Sequence, residues 1–284
     1  LRQGGGGHGL YDLWGKGYGI PVWRALGGAR RTLETDLTIS VNPVEEMVRD
    51  SLEAVERGYS ILKIKVGKDP KADVERMCAI RRRWARRELR VDANQGWTAK
   101  EAVRVISALE DKGLDMDLVE QPVPAHDLEG MAYVTARVQT PILADESVFS
   151  PGDAVELIRR GAADLINIKL MKTGGIWQAL KICDVAEIYG VECMIGCMLE
   201  AKISVNAAVE LACAKKIITK IDLDGLCSAA RTTSSAVPCS TKRTSPSPTR
   251  PAWAFRALCP ARCPISTKTG TDRIPKHTGC GFFL

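Results

Sequence analysis

Apolar residues in this chain come in short runs separated by turn residues, and LKIKVG, from Leu62 to Gly67, shows the pattern at its clearest. Alternate residues on a strand share a face, so Leu62, Ile64 and Val66 point one way and Lys63 and Lys65 the other. Comparable runs begin at Thr35 (TDLTISV), Ile61 (ILKIKV), Glu88 (ELRVDAN), Asp115 (DMDLVEQP), Pro141 (PILADES), Ala163 (ADLINIKL), Val191 (VECMIG) and Ile217 (IITKIDLDG). Successive starts lie 22 to 28 residues apart. Between the runs the apolar period lengthens to that of a helix. Asn42 is placed to cap a helix with Pro43 at its first position, and Val44, Met47, Val48, Leu52 and Val55 trace its apolar stripe as far as Gly58. Thr98 with Glu101 three residues on has the form of a capping box before a second helix. SPGDAVELIRRG and GGIWQALKICDVAEIYG repeat the helical pattern. Eight strand and helix units at this spacing predict an α/β fold of the (β/α)8 TIM-barrel type over residues 35–226. In such a barrel Leu62, Ile64 and Val66 face the helical shell, and Lys63 and Lys65 face the interior near the C-terminal mouth, where barrels keep their chemistry.

Three consecutive strands then end in an acid: Asp92 in RVDANQGW, Glu120 in DLVEQP and Asp145 in LADES. One acid after a strand is commonly a helix cap. Three on neighbouring staves repel one another unless a cation sits among them. An all-oxygen donor set suits a hard ion such as Mg2+, which keeps positions open for substrate oxygens. Strand six ends in INIKL and brings Lys169 to the mouth, four staves away from Lys65. Amines on opposite sides of a metal-held carboxylate can take a proton from one face of its α-carbon and return one to the other, which inverts the stereocentre. Deprotonation there creates an enediolate, whose charge Mg2+ and Lys63 are placed to stabilise. The base must be a neutral amine, so Lys65 and Lys169 are both expected to have lowered pKa values.

Composition narrows the alternatives. The chain has 284 residues, 45% of them hydrophobic, enough for a large core. It has neither an eighteen-residue apolar run nor a basic start followed by an apolar signal core, so no membrane span is expected and the cytoplasm is the expected compartment. The ten cysteines lack the compact spacing of a disulfide framework and read as reduced thiols. A net charge of +6 invites a nucleic-acid partner, but its location argues against one. Residues 228–284 hold nine Lys or Arg and a single acid, Asp272, so the preceding part has 31 basic against 33 acidic residues. GKGYG near Gly15 precedes no phosphate-binding turn, and Cys259, Cys263, His277 and Cys280 lack zinc-site spacing.

KIK, DANQGW, EQP, ADES and NIKLMKTGG, in that order, resemble the enolase superfamily, in the subgroup related to muconate lactonizing enzyme. The resemblance covers roughly Leu10 to Leu226. It implies Lys65 and Lys169 as acid/base lysines and Asp92, Glu120 and Asp145 as Mg2+ ligands. IDLDG, with Asp222 and Asp224 two apart on strand eight, resembles the dipeptide epimerases, in which such a pair receives the substrate's terminal ammonium group. Two carboxylates at alternating positions can share one cation. GCMLEAK resembles that family's substrate loop and implies contacts at Cys197, Met198 and Leu199, with Thr38 on strand one a further carry-over. The resemblance implies a Mg2+-dependent dipeptide epimerase working by 1,1-proton transfer. A muconate-type cycloisomerase or an o-succinylbenzoate synthase on the same barrel is the alternative. The expected partner is a dipeptide, without nucleic acid or membrane, and a homo-oligomer stays open.

Family members also carry a capping domain over the mouth. This chain enters almost at the barrel: residues 1–34 are expected to be a remnant of the connection to that domain, of which LYDLWGKGYGIPVWRALGG has the family's look and GGGGHG does not. The family pattern stops after Gly225, and 227–284 is expected to be a non-family, disordered tail. Both ends are consistent with translation out of frame, and a chain altered in this way is expected to be impaired or inactive, the third reading.

Overall fold

The structure, a computed structural model, describes residues 2–29, 31–84 and 88–225. Leu226, the 227–284 stretch and its Cys259, Cys263, His277 and Cys280 lie outside the described residues. In chain order the elements are α1 (Arg2–Tyr18), α2 (Val22–Ala25), β1 (Leu37–Ile39), α3 (Val44–Glu56), β2 (Ile61–Lys65), α4 (Pro70–Arg83), β3 (Glu88–Asp92) and α5 (Ala99–Asp111). They continue with β4 (Leu118–Glu120), α6 (Leu128–Thr135), β5 (Ile142–Ala144), α7 (Pro151–Arg160), β6 (Leu165–Lys169), α8 (Leu170–Thr173), α9 (Ile176–Tyr189), β7 (Glu192–Gly196), α10 (Lys202–Ala214) and β8 (Ile218–Asp222). Each of the eight expected strands lies inside its expected run. All pair in parallel and in sequence order, β1 to β8.

The ring is nearly closed, and side chains bind its seam. Asp36 N approaches Ile221 O at 3.5 Å. Leu223 N donates to Thr35 Oγ1 at 2.8 Å, and Thr38 N to Asp224 Oδ2 at 2.7 Å. The outward strand faces and the helices share one large apolar core that includes Leu62, Ile64 and Val66. Inside the ring, Leu118, Leu143, Leu165 and Met194 form a separate apolar cluster. Leu118 and Leu143 stand two residues below Glu120 and Asp145, and Leu165 four below Lys169, as period-two alternation requires. Across the ring the same level is ionic. Arg90, paired in register with Leu118, is buried and meets Asp36 at 2.9 Å, Glu88 at 2.6 Å and Asp117 at 3.1 Å.

Helix starts follow from local chemistry. Thr98 and Glu101 form the expected capping box on α5, and Ser150 caps α7 by accepting from Asp153 N. Two expectations for α3 fail. Pro43, not Asn42, occupies the cap, and Asn42 Nδ2 instead donates to Glu46 Oε1 at 3.1 Å. Leu52 is 41% exposed, because the buried line runs through Met47, Ser51 and Ala54 and a residue five positions from Met47 lies about 140° around the helix.

The loops above β2 and β3 meet through two glycines. A Cβ on Gly96 would lie 2.2 Å from Gly67 O, and one on Gly67, where φ is +97°, would lie 2.2 Å from Ala93 O. The clashing atoms are backbone, so they cannot swing aside. Gly96→Ala is therefore expected to cost about 1–3 kcal/mol of stability in urea titrations, whereas Gly17→Ala, where nothing lies within 4 Å, should cost nothing.

Candidate active site

The barrel brings Asp92, Glu120 and Asp145 to adjacent staves, all buried. Asp92 stands in register with Glu120, and Asp145 lies two residues beyond the register partner of Glu120, Leu143. Lys63 Nζ sits beside the first two, 3.2 Å from Asp92 Oδ2 and 2.7 Å from Glu120 Oε2, and also donates to Asp222 Oδ2 at 2.7 Å. Lys65, one third exposed at the rim, donates to Asp92 Oδ2 at 2.9 Å. Lys169 donates to Asp145 Oδ2 at 2.6 Å. Lys65 thus stands at the β3 end of the acidic trio and Lys169 at its β5 end.

The charges respond to this crowding. Burial, and then Asp92, push the Glu120 carboxyl up to about 8 against the pull of Lys63. Burial works against the charged form of Asp145, but Lys172 and Lys169 hold its carboxyl well below the usual range. Burial likewise opposes the ammonium of Lys63, and Asp222, Glu120 and Asp92 overcome it and raise its pKa well above the ordinary value. The carboxylates beside Lys169 act on it as they do on Lys63. Burial pulls it down, yet Asp145 and Glu120 outweigh burial and lift it. Burial lowers the pKa of Lys172, against the pull of Asp145.

No three His, Cys, Asp or Glu side chains among the described residues converge into a ready metal cage, because each acid of the trio has an ammonium against it. The donor set nevertheless fits a hard cation. The three carboxylates end adjacent staves, and Glu120 Oε2 is buried without an aligned hydrogen bond despite its ion pair with Lys63. Asp92, Glu120 and Asp145 are the residues able to hold such an ion.

The remaining expected residues lie around the same rim. Asp222 and Asp224 are both buried. Burial opposes ionisation of Asp222, and Lys63 restores it, whereas burial and Asp222 raise the pKa of Asp224. Thr38 serves Asp224 through its backbone N–H. In the loop after β7, Cys197 packs on the core and donates its N–H to Asp222 O at 3.1 Å, while Met198 and Leu199 are exposed.

Several members of the constellation escaped the sequence reading. Asn167 Nδ2 donates to Glu120 Oε1 at 2.7 Å. It precedes Lys169 by two on β6, so strand alternation alone puts it on the inner face. Lys172, one short helical turn after Lys169, contacts both Asp145 Oδ1 and Asp145 O. Gln121 Oε1 accepts from Asp145 N at 3.0 Å and Ser147 N at 3.2 Å, tying the end of β4 to the loop that carries Asp145. Asn94, Gln95 and Gln121 all adopt positive φ just past strand ends, backbone strain of the kind found around functional rims.

This fold and rim define a (β/α)8 barrel whose acids and amines gather at the C-terminal ends of its strands. The family model described as "Enolase C-terminal domain-like" matches residues 46–224, and the chain belongs to that family. It is 62% identical over 222 residues to the L-Ala-D/L-Glu epimerase of Clostridium acetobutylicum, covering 77% of this chain and 62% of the relative. It is 52% identical over 217 residues to the Bacillus subtilis L-Ala-D/L-Glu epimerase, covering 76% and 59%. The solved substrate-liganded complex of the Bacillus subtilis epimerase matches with a TM-score of 0.75 at 51% identity, over 76% of this chain and 61% of that one. The Enterococcus faecalis V583 dipeptide epimerase, complexed with Mg and the dipeptide L-Leu-L-Tyr, gives 0.73 at 48%, over 76% and 61%. The chain thus spans about three fifths of the length of these curated relatives. Among the described residues no helix is long and apolar enough to cross a membrane.

Proposed function

We propose that this barrel carries out Mg2+-dependent epimerisation of dipeptides, of the L-Ala-D/L-Glu type, by 1,1-proton transfer at the α-carbon next to the terminal carboxylate. The observation that carries this reading is the placement of Lys65 and Lys169 at opposite ends of the Asp92–Glu120–Asp145 trio. Two amines so placed address opposite faces of an α-carbon lying between them. Lys63, kept as an ammonium by three carboxylates, is a fixed positive charge for the enediolate that develops on the substrate rather than a base. Magnesium held by Asp92, Glu120 and Asp145 would supply further charge stabilisation to the substrate's carboxylate oxygens. With Asp145 and Glu120 engaged in that way, burial would dominate at Lys169, and burial favours the neutral amine a base requires. Asp222 and Asp224 are the proposed receptors for the dipeptide's ammonium group. A cycloisomerase substrate, which has no ammonium group, offers that pair nothing to bind.

The test is incubation of a dipeptide library with the protein and Mg2+ in deuterated water, read by mass spectrometry and chiral chromatography. The expected result is deuterium at one α-position accompanied by inversion there, abolished by EDTA and restored by added Mg2+. Turnover of dipeptides without α-deuterium would eliminate the mechanism. Failure to turn over any dipeptide in a folded preparation would eliminate the assignment for this chain.

A further inference from the structure

Glu200 lies in the loop that leaves β7 for α10, and both of its carboxylate oxygens are engaged. Oε1 accepts from Met198 N at 2.9 Å, and Oε2 accepts from Ser204 Oγ in the first turn of α10. Ser204 is buried, and its Oγ also lies 3.3 Å from Nδ1 of His8 on α1, itself buried. A serine hydroxyl has one proton and two lone pairs. Once that proton is given to Glu200, Ser204 can only accept from His8, so Nδ1 must carry a hydrogen and donate it. Nε2, buried with no hydrogen-bond partner among the described residues, is then the bare nitrogen. Burial lowers the His8 pKa against the pull of Glu200, which favours this neutral ring. The hydrogen bonds thus run from the N-terminal helix through α10 to the loop whose Met198 and Leu199 stand exposed beside the rim.

We propose that Glu200 is the positioning residue of the loop after β7, holding Met198 by its backbone, and that His8 sets its grip through Ser204. Each group in the series has one bond it can make and one direction in which to make it. A carboxylate with both oxygens fixed cannot swing away from the Met198 N–H, so the loop keeps one shape beside Asp222 and Asp224. Resting on the function proposed above, this presents a preformed loop to the dipeptide and lowers the ordering cost of binding it. Helix α1 therefore governs substrate binding without touching the substrate.

The first measurement is nitrogen NMR spectroscopy of the isotope-labelled full chain, with the His8 ring signals identified as those lost in His8→Asn. The wild-type ring is expected to be neutral at neutral pH with its hydrogen on Nδ1, and a hydrogen on Nε2 alone overturns the proposal. The second is hydrogen exchange at the Met198 amide. Ser204→Ala is expected to speed it about tenfold and His8→Ala about threefold, each through one lost hydrogen bond in the series. Ser204→Thr keeps the hydroxyl and His8→Asn keeps a side-chain N–H, so both should stay within about twofold of wild type. Unchanged exchange in both alanine variants overturns the proposal, as does equal acceleration in the conservative pair, which would reveal packing rather than hydrogen bonding. In turnover assays the alanine variants should raise the dipeptide KM about threefold or more with kcat within about twofold. A fall in kcat at unchanged KM overturns the positioning role. The wild-type ring signals and the exchange rates need no turnover, so a failure of the proposed activity would be seen separately.

Discussion

Lys169→Ala is expected to abolish net epimerisation while leaving α-proton exchange intact in one stereoisomer of the dipeptide. Lys169 and Lys65 stand at opposite ends of the acidic trio, so each can reach only one face of a bound α-carbon. With Lys169 removed, Lys65 can still take a proton from its own face and return a deuteron there, which labels without inverting. Lys65→Ala should leave the opposite stereoisomer exchanging. Removing one general acid/base group is expected to lower inversion by about 10²–10⁴-fold. The fold should tolerate both changes, because Asp145 retains Lys172 and Asp92 retains Lys63 at 3.2 Å. Solvent-deuterium incorporation followed for each stereoisomer separately is the measurement. If the two variants lose exchange in the same isomer, the lysines share a face and the stereochemical reading is wrong.

The parts of this site that were legible in the sequence are those fixed by strand periodicity. A parallel strand of a barrel is covered on both sides, so its outward residues must be apolar, and any charge on its inner face near the C-terminal end stands out against them. That is why Lys63, Lys65, Asp92, Glu120, Asp145 and Lys169 could be picked from their runs, and why all eight strands lie where expected. What stayed hidden depends on neighbours distant in sequence. Arg90 reads as a polar residue within ELRVDAN, and only the closed ring shows Asp36, Glu88 and Asp117 gathered around it. The pull of Asp145 on Lys169 is hidden for the same reason, since only the folded ring brings it to 2.6 Å, where its charge outweighs burial. Asn42 has the chemistry of a helix cap, yet Pro43 takes that position because its fixed φ suits the turn into α3.

Arg90→Met is expected to be the most destabilising single change in the barrel floor, by about 3–5 kcal/mol in urea unfolding at neutral pH. Methionine fills much of the same volume, so the loss reflects charge rather than a cavity. Arg90 is buried and holds three carboxylates, and its Nη1 also donates to Ile221 O at 2.9 Å across the seam. Removing the guanidinium strands acids that remain away from water. The exposed pair of Arg160 and Glu156, at a similar 2.6 Å, is a control, and Arg160→Met should cost no more than about 0.5 kcal/mol. The pH dependence distinguishes stranded charge from general damage. In the wild-type protein Asp117 is held below its ordinary value: burial opposes this, but hydrogen bonds with Glu88 and Lys220 and the charges of Lys220 and Arg90 prevail. A depressed folded-state value contributes stability above the unfolded-state value and loses it as pH falls through the folded-state value. Glu88 and Asp36 are already raised, chiefly by burial, so without Arg90 they should rise further while Asp117 loses part of its support, and the folded chain should bind protons more readily than the unfolded one. The variant should then recover part of its deficit between about pH 7.5 and about pH 5. A deficit below about 1 kcal/mol, or one identical at both pH values, would mean that the floor does not rely on this cation.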